Sequence, residues 1–404
     1  MWPLISNELY KIIKKKKFWI TFIVFFALFL AYSIVQYSSE KKYYEPKQRI
    51  AMDKLEIKTE KKQLNSPGIN AEQKKKIKQY IKQDEKDIKD KKKEDASKDL
   101  DWHLRLNKEL IQKKYEYIKD KGKGKNEDTE DASISVMKDE YYRDNNLNPY
   151  DKTGDLAMDS FLSSKAFMQI LVVFIIIAVA TSDIVSSEYS PATIKMLLAK
   201  PASRAKILFS KFIAILVGNI FIIGIPQVIT YLILSFMNGF PNLSQPIAVG
   251  RMYQYDSSVI LSNHNVGVSP ILGSSYLITE GKYLLYLALL DLLFILGCVS
   301  ICFLISVLIK NSAITIGINV GLGVVMSIIG LMTLEGAIPK ALSAITPFLI
   351  MTYSSTDVLL MGDMAKRANN PGITVGMGIV VFIVYTVVCM GISTFVFSKK
   401  DMLA

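Results

Sequence analysis

Few side chains in this sequence are spaced to do covalent chemistry. The two histidines, His103 and His264, are far apart. Cys298, Cys302 and Cys389 all fall inside apolar runs, so no His/Cys set has metal-site spacing, and no metal is expected. No nucleophile–base pair stands out either. A G-x-x-x-x-G-K-[ST] loop, whose amides would cradle nucleotide phosphates, does not occur, and Gly281-Lys282 is followed by Tyr283. The chain by itself reads as non-enzymatic, with no cofactor of its own. The exception worth pursuing is Asp291, the one charge in a long apolar run. At 1.5 Å per residue it lies roughly 12 Å into that run. A carboxylate there is costly unless paired or protonated. Three roles suit it: a hydrogen bond to a neighbouring helix, a place beside a water-filled vestibule, or the centre of an ion-coupled carrier. One acid without an inverted repeat of broken helices argues for the structural role over the carrier.

The elements that would position such residues follow from where charge lies. The chain has 404 residues, and about 150 per domain suggests two or three domains. Of 86 charged residues, 58 lie between Glu40 and Lys165, 31 basic and 27 acidic, leaving 28 for the other 278 positions. With half its residues hydrophobic and a mean hydropathy of +0.25, this is not a soluble globular enzyme. It reads as an all-α polytopic membrane protein with one large polar insert. The net charge of +12 divides between that insert and the membrane ends, so nucleic acid is not an expected partner. The insert has no cysteine and must be held by packing alone.

About 20 apolar residues cross a bilayer as a helix. Six segments qualify: 18–37, 166–182, 212–237, 283–309, 311–334 and 371–398. A further apolar run, 341–361, is broken by Pro347 and carries Asp357, so 339–361 reads as re-entrant or interfacial rather than as a span. If the N-terminus is cytoplasmic, 13 lysines and arginines flank the inner span ends and five occupy short outer loops. That is the polarity of the positive-inside rule. A cleaved signal peptide is excluded, since the first apolar stretch is too long and five spans follow. The domains are then 1–17, an interfacial helix; 18–37, the first span; 38–165, an extracytoplasmic domain; and 166–404, a five-helix membrane domain.

The insert reads as an antiparallel helical hairpin. Ile50, Ile57 and Leu64 recur every seven residues, a turn follows at Asn65-Ser66-Pro67-Gly68, and Ile77, Ile81 and Ile88 continue the stripe. Leu104, Ile111 and Ile118 should form its later apolar face, ending at Gly122-Lys123-Gly124. Such a charged hairpin is a solvated stalk, a gate or a receptor surface for cargo or an envelope partner, with the stalk the plainer reading. In the membrane domain, Gly317/Gly321 and Gly372/Gly376 form two G-x-x-x-G pairs where helices could approach closely, and Pro226 should kink the third span.

Two polar segments flank the spans. Residues 7–17 combine Leu9, Ile12 and Ile13 on one helical face with lysines able to reach anionic lipid headgroups. Loop 183–211 holds Ser190-Pro191, a helix start, then Ile194, Leu197 and Leu198 on one face, Pro201 as a stop, and Ser203 positioned to cap the next helix. This describes a short amphipathic helix clamped to two spans, suited to relaying a push.

These parts resemble the permease subunits of the ABC type-2 exporter superfamily. The family's Glu-x-x-x-x-Thr-Ile-Lys loop ending in Pro-x-Ser-Arg is matched by Glu188, Thr193, Ile194, Lys195, Pro201, Ser203 and Arg204. The tail Phe397-Ser398-Lys399-Lys400-Asp401 is similar too. The likeness covers everything outside the insert. It implies a bacterial plasma-membrane half-channel that pairs with a second permease copy or a sister permease. ATP is bound and hydrolysed by a separate ATP-binding subunit, contacted through Glu188, Pro191, Thr193, Lys195, Pro201, Ser203 and Arg204. The implied activity is outward movement of an amphipathic cargo: an antimicrobial or signalling peptide, a lipid or a drug. The alternative is a non-transporting receptor or immunity protein that uses the same fold to anchor its outer hairpin.

Overall fold

The computed structural model describes residues 1–44, 101–122, 126–189, 203–260, 266–338 and 343–399, with positions 54, 57–59, 61, 62, 64, 81 and 82 between the first two stretches. Among these, six helices are long and apolar enough to cross a membrane: Lys16–Lys41, Asp155–Glu188, Arg204–Asn238, Glu280–Leu308, Ser312–Leu334 and Val375–Lys399. All six expected segments are found, and helix dominates the chain.

Helix α1 (Trp2–Lys14) stops where Lys15 turns extended, and α2 (Lys16–Tyr44) then starts the first span. The second span begins earlier than expected, because the charge at Lys165 interrupts the apolar window but not the helix. Its first part is α5 (Asp155–Met168), entered through Gly154 at φ +85°. A Cβ at Gly154 would lie 2.2 Å from the backbone nitrogen of Pro241, so only glycine fits this turn. A π turn at Gln169–Val173 leads into α6 (Phe174–Thr181). The third to fifth spans are α7 (Arg204–Asn238, with Pro226 inside it), α8 (Glu280–Leu308) and α9 (Ser312–Leu334). The second and fourth spans lie in the middle of the bundle, and the first, fifth and sixth leave most of their apolar surface uncovered. Phe174, Phe294, Phe303 and Phe382 are fully buried between them, with edge-on ring contacts such as Phe212–Phe303 and Phe294–Phe382.

The insert contributes α3 (Trp102–Lys121), started by the Asp101 carboxylate accepting from the His103 amide, and α4 (Asn126–Asp144). They pack along each other, with Leu106 and Leu110 of α3 and Ile134 and Val136 of α4 buried and Lys113–Asp139 and Lys114–Glu140 ion pairs joining the two helices. The expected stripe is corrected here. Leu104, Ile111 and Ile118 are 56%, 70% and 68% exposed, because α4 takes the neighbouring face of α3. Ile57 and Ile81 are buried, and the other predicted stripe positions, Leu64 apart, lie outside the described residues.

Between the third and fourth spans the sequence pattern suggested only a loop. Four strands occur there instead: β1 (Pro246–Val249), β2 (Tyr253–Ile260), β3 (Val266–Pro270) and β4 (Tyr276–Thr279). β1 pairs antiparallel with β4, and β2 with β3. Beyond the fifth span the chain breaks into short turns at Thr346–Phe348 and Ile350–Tyr353, then α10 (Thr356–Met361) and α11 (Met364–Arg367). Ile350, Met351 and Tyr353 are buried, and Tyr353 donates to the Pro347 carbonyl at 2.7 Å, while Phe348 stays exposed. The sixth span is α12 (Val375–Lys399).

The glycine pairs need correction as contacts within one chain. A Cβ at Gly317 or Gly321 would meet nothing within 4 Å, on a face of α9 that also exposes Ile314, Ile318 and Val325. Gly372 precedes α12, and a Cβ at Gly376 would reach only Thr374 of its own chain turn. Close approach occurs elsewhere: a Cβ at Gly330 would meet Ile170, one at Gly297 would meet Ile350, and one at Gly378 would meet Tyr353.

Candidate functional site

At the end of the bundle that holds both chain ends, three elements converge on one lysine. Lys211 lies one to two turns into α7 on its buried face, its side chain 1% exposed. Its ammonium is 2.7 Å from Glu8 Oε2 of α1 and also bonds Glu188 Oε1 at the start of the predicted coupling loop. Glu8 Oε1 accepts from Lys11 at 2.7 Å. Among the described residues, the ammonium groups of Lys211 and Lys11 thus face the carboxylates of Glu8 and Glu188. Burial pushes the Glu8 carboxyl up, but Lys211 and Lys11 outweigh it and hold the group below its ordinary range.

A second ion-pair set locks the same end. Lys17 and Lys15 reach Asp183 at 2.8 and 3.1 Å, tying the head of α2 to the foot of the second span. The Ser306 hydroxyl of α8 donates to the Ser182 carbonyl and accepts from the Val185 and Ser186 amides, fixing the turn that leads to Glu188. Asn319 of α9 reaches Ser182, and Asn219 of α7 reaches Thr181, so both act between helices. Arg204 donates to the Ser398 carbonyl at 3.2 Å, joining the loop's far end to α12. Ser203 occupies the position before α7 with an extended backbone, but its hydroxyl makes no capping bond; its carbonyl accepts the Ile207 amide instead. Pro191, Thr193, Lys195 and Pro201 lie outside the described residues.

Of the residues singled out from the sequence, Glu188 enters the lysine cluster, Arg204 makes a different contact, and Asp291 sits in a separate site in the bundle. Glu8, Lys211 and Asp183 were not recognised as partners. The signal was faint: one acid in a lysine-rich segment, and charges at span ends at helical spacing from buried apolar residues.

The opposite end is closed by contacts between the insert and the strands. Glu130 of α4, fully buried, accepts from the Gly273 amide at 2.7 Å and the Ser275 amide at 3.2 Å. Arg251 lies between Asp131 of α4, at 2.6 Å, and Asp363, at 3.6 Å. Lys366 of α11 bonds Glu127, and Tyr253 donates to Asp363 at 2.8 Å. Helix α4 of the insert is therefore docked on β3, β4 and α11 rather than projecting freely.

Six helices long and apolar enough to cross a membrane, packed as one bundle with buried ion pairs between them, define a multi-pass membrane protein. The chain belongs to the ABC-2 transporter family: the family described as ABC-2 family transporter protein matches residues 2–402, running through the insert. It is a membrane permease of an ABC transporter, whose partner is an ATP-binding subunit. No curated protein matches the chain.

Proposed function

We propose that this permease is the passive lever of an exporter in a bacterial plasma membrane, with both chain ends in the cytoplasm. Two permeases work with two ATP-binding subunits. Closure of those subunits pushes on loop 190–202, through Pro191, Thr193, Lys195 and Pro201, and on α1. The observation that carries this reading is the Lys211 cluster: the third span cannot move independently of Glu8 or Glu188 without exposing a buried charge. Arg204 and its bond to Ser398 would pass the same push to the sixth span. The cargo is an amphipathic peptide, lipid or drug, a class that partitions into the bilayer before capture. On the outer side α4 serves as a gate on the exit, a reading supported by the Glu130 and Arg251 contacts over a bare stalk.

The test uses the permease copurified with its ATP-binding partner in lipid nanodiscs, carrying nitroxides at exposed Tyr10 and Phe209. Trapping with ATP and vanadate should move α1 and α7 together, leaving this distance unchanged while a pair across loop 183–211 shifts. In Lys211→Met the two helices should separate. If no ATP-binding protein copurifies, the anchor reading replaces this one.

A further inference from the structure

Midway along the spans lies a polar cluster that the lever does not use. Lys165 of α5, its side chain 4% exposed, places its ammonium 3.1 and 3.0 Å from the two carboxylate oxygens of Asp291 in α8. The same ammonium donates to the Thr356 hydroxyl at 2.8 Å, and that hydroxyl donates to Asp291 Oδ1 at 2.7 Å. Gln169, at the π turn, donates to the same oxygen at 2.9 Å. The Lys165–Asp291 pair is complete. Beside it stands a second acid, Asp357, one residue after Thr356, feeling the charges of both Lys165 and Asp291.

Counting charge decides what Asp357 must be. One ammonium faces two carboxylates, and Lys165 is already bound to Asp291. Backbone amides at the head of α10 serve one Asp357 oxygen, but Oδ1 is buried with no partner. Around it are three more buried polar atoms without partners: Tyr283 Oη, Gln169 Oε1 and Ser355 Oγ. Among the described residues, neighbouring elements offer no relief. Lys366 is taken by Glu127, Arg367 donates to the Leu334 carbonyl, and Asp363 is bound to Tyr253 and Arg251. Besides Tyr283, Tyr286 and the buried thiols of Cys298 and Cys302, the other ionisable groups on α5 and α8 are Asp155, Asp159, Glu280 and Lys282; three are acids, and Lys282, next to Tyr283, lies exposed on the outside of α8. An unpaired carboxylate in such surroundings takes up a proton rather than bear the desolvation cost. A metal ion is a poorer occupant, since the ammonium of Lys165 already stands where a cation would bind both Asp291 and Thr356.

We propose that Asp357, with Lys165, Asp291 and Thr356, forms a proton-binding site that seats segment 350–361 against the second and fourth spans. Protonated, Asp357 lets the segment lie against the bundle. Losing its proton creates a second carboxylate that competes for Lys165 and loosens the Thr356 bridge. Seating of this segment is thereby made to depend on pH, with alkaline conditions favouring release.

Infrared difference spectroscopy of the full chain in lipid nanodiscs tests this at neutral pH. Wild type should show a protonated-carboxyl stretch that shifts in heavy water and is missing in Asp357→Asn. Asp357→Glu should keep a displaced band, showing that loss in the amide variant is not unfolding. Lys165→Met should gain a second protonated-carboxyl band, because Asp291 then needs its own proton. Hydrogen exchange across 350–361, corrected for intrinsic rates, should accelerate at alkaline pH in wild type and not in Asp357→Asn. The proposal is overturned if Asp357→Asn keeps the band or Lys165→Met gains none. A wild-type band that disappears in sodium or potassium but not in choline also overturns it, and assigns the site to a metal cation. Equal pH dependence of exchange in both proteins would remove the seating role.

Discussion

Lys211 carries two carboxylates, and that sets how each substitution should behave. In Lys211→Met, Glu8 and Glu188 lose the ammonium they share, and breaking a buried pair in this way costs about 3–5 kcal/mol. The double variant Lys211→Met with Glu8→Gln should recover much of that loss, since fewer uncompensated charges stay buried. Thermal unfolding midpoints of the two proteins in detergent check this. Recovery below a quarter of the loss would mean that the lysine acts through packing rather than charge. The pH dependence has a definite sign. The Glu8 carboxyl is held below its ordinary range when α1 is docked, so its contribution is complete above the unfolded value and fades as pH falls through the docked one. Acid should therefore release α1, seen as faster tryptic cleavage after Lys14 or Lys15, and Glu8→Gln should remove that dependence.

Among the elements, α4 is docked by contacts of unequal worth. Lys366–Glu127 is exposed on both sides, and pairs of that kind contribute about 0–1 kcal/mol and are screened by salt. Glu130 is buried and accepts two amide bonds, each worth about 1.5–3 kcal/mol when the acceptor is charged. High salt should thus leave α4 in place, whereas Glu130→Ala should free it; hydrogen exchange should rise at 126–140 and 266–276 together in the variant only. The same helix shows what the sequence could and could not reveal. Spans were legible because bilayer crossing demands long uncharged runs. The strands at 246–279 were not, because Tyr253–Ile260 alternates poorly and its partners come from across a loop. The early start of the second span was hidden by Lys165, whose charge is neutralised by a residue over a hundred positions away. The side of α3 that α4 covers depends on docking, and Leu104, Ile111 and Ile118 alone could not identify it. Gly317 and Gly321 had the spacing of a contact, but spacing does not specify which neighbour arrives.

For the whole molecule, everything mechanical depends on which end faces the cytoplasm. The six spans among the described residues put Lys211, Glu188, α1 and the last turn of α12 at one end and α4 with the strands at the other. The orientation proposed above rests on the basic residues: 13 flank the proposed cytoplasmic end, against five in the short loops of the other, the bias expected of helical membrane proteins. The lysine-rich insert does not weigh against it, since long domains translocate largely regardless of charge. Intact cells allow a direct reading, because the native thiols at Cys298, Cys302 and Cys389 are buried and give little background. A cysteine placed at Ile111, which is 70% exposed, should react with a membrane-impermeant maleimide in unbroken cells. One placed at Trp2, which is 75% exposed, should react only after permeabilisation. The reverse pattern would put the Lys211 cluster outside, beyond reach of any ATP-binding subunit, and the lever would have nothing to push it. Equal labelling at both sites in sealed cells would mean mixed insertion, which a lever driven from one side cannot use.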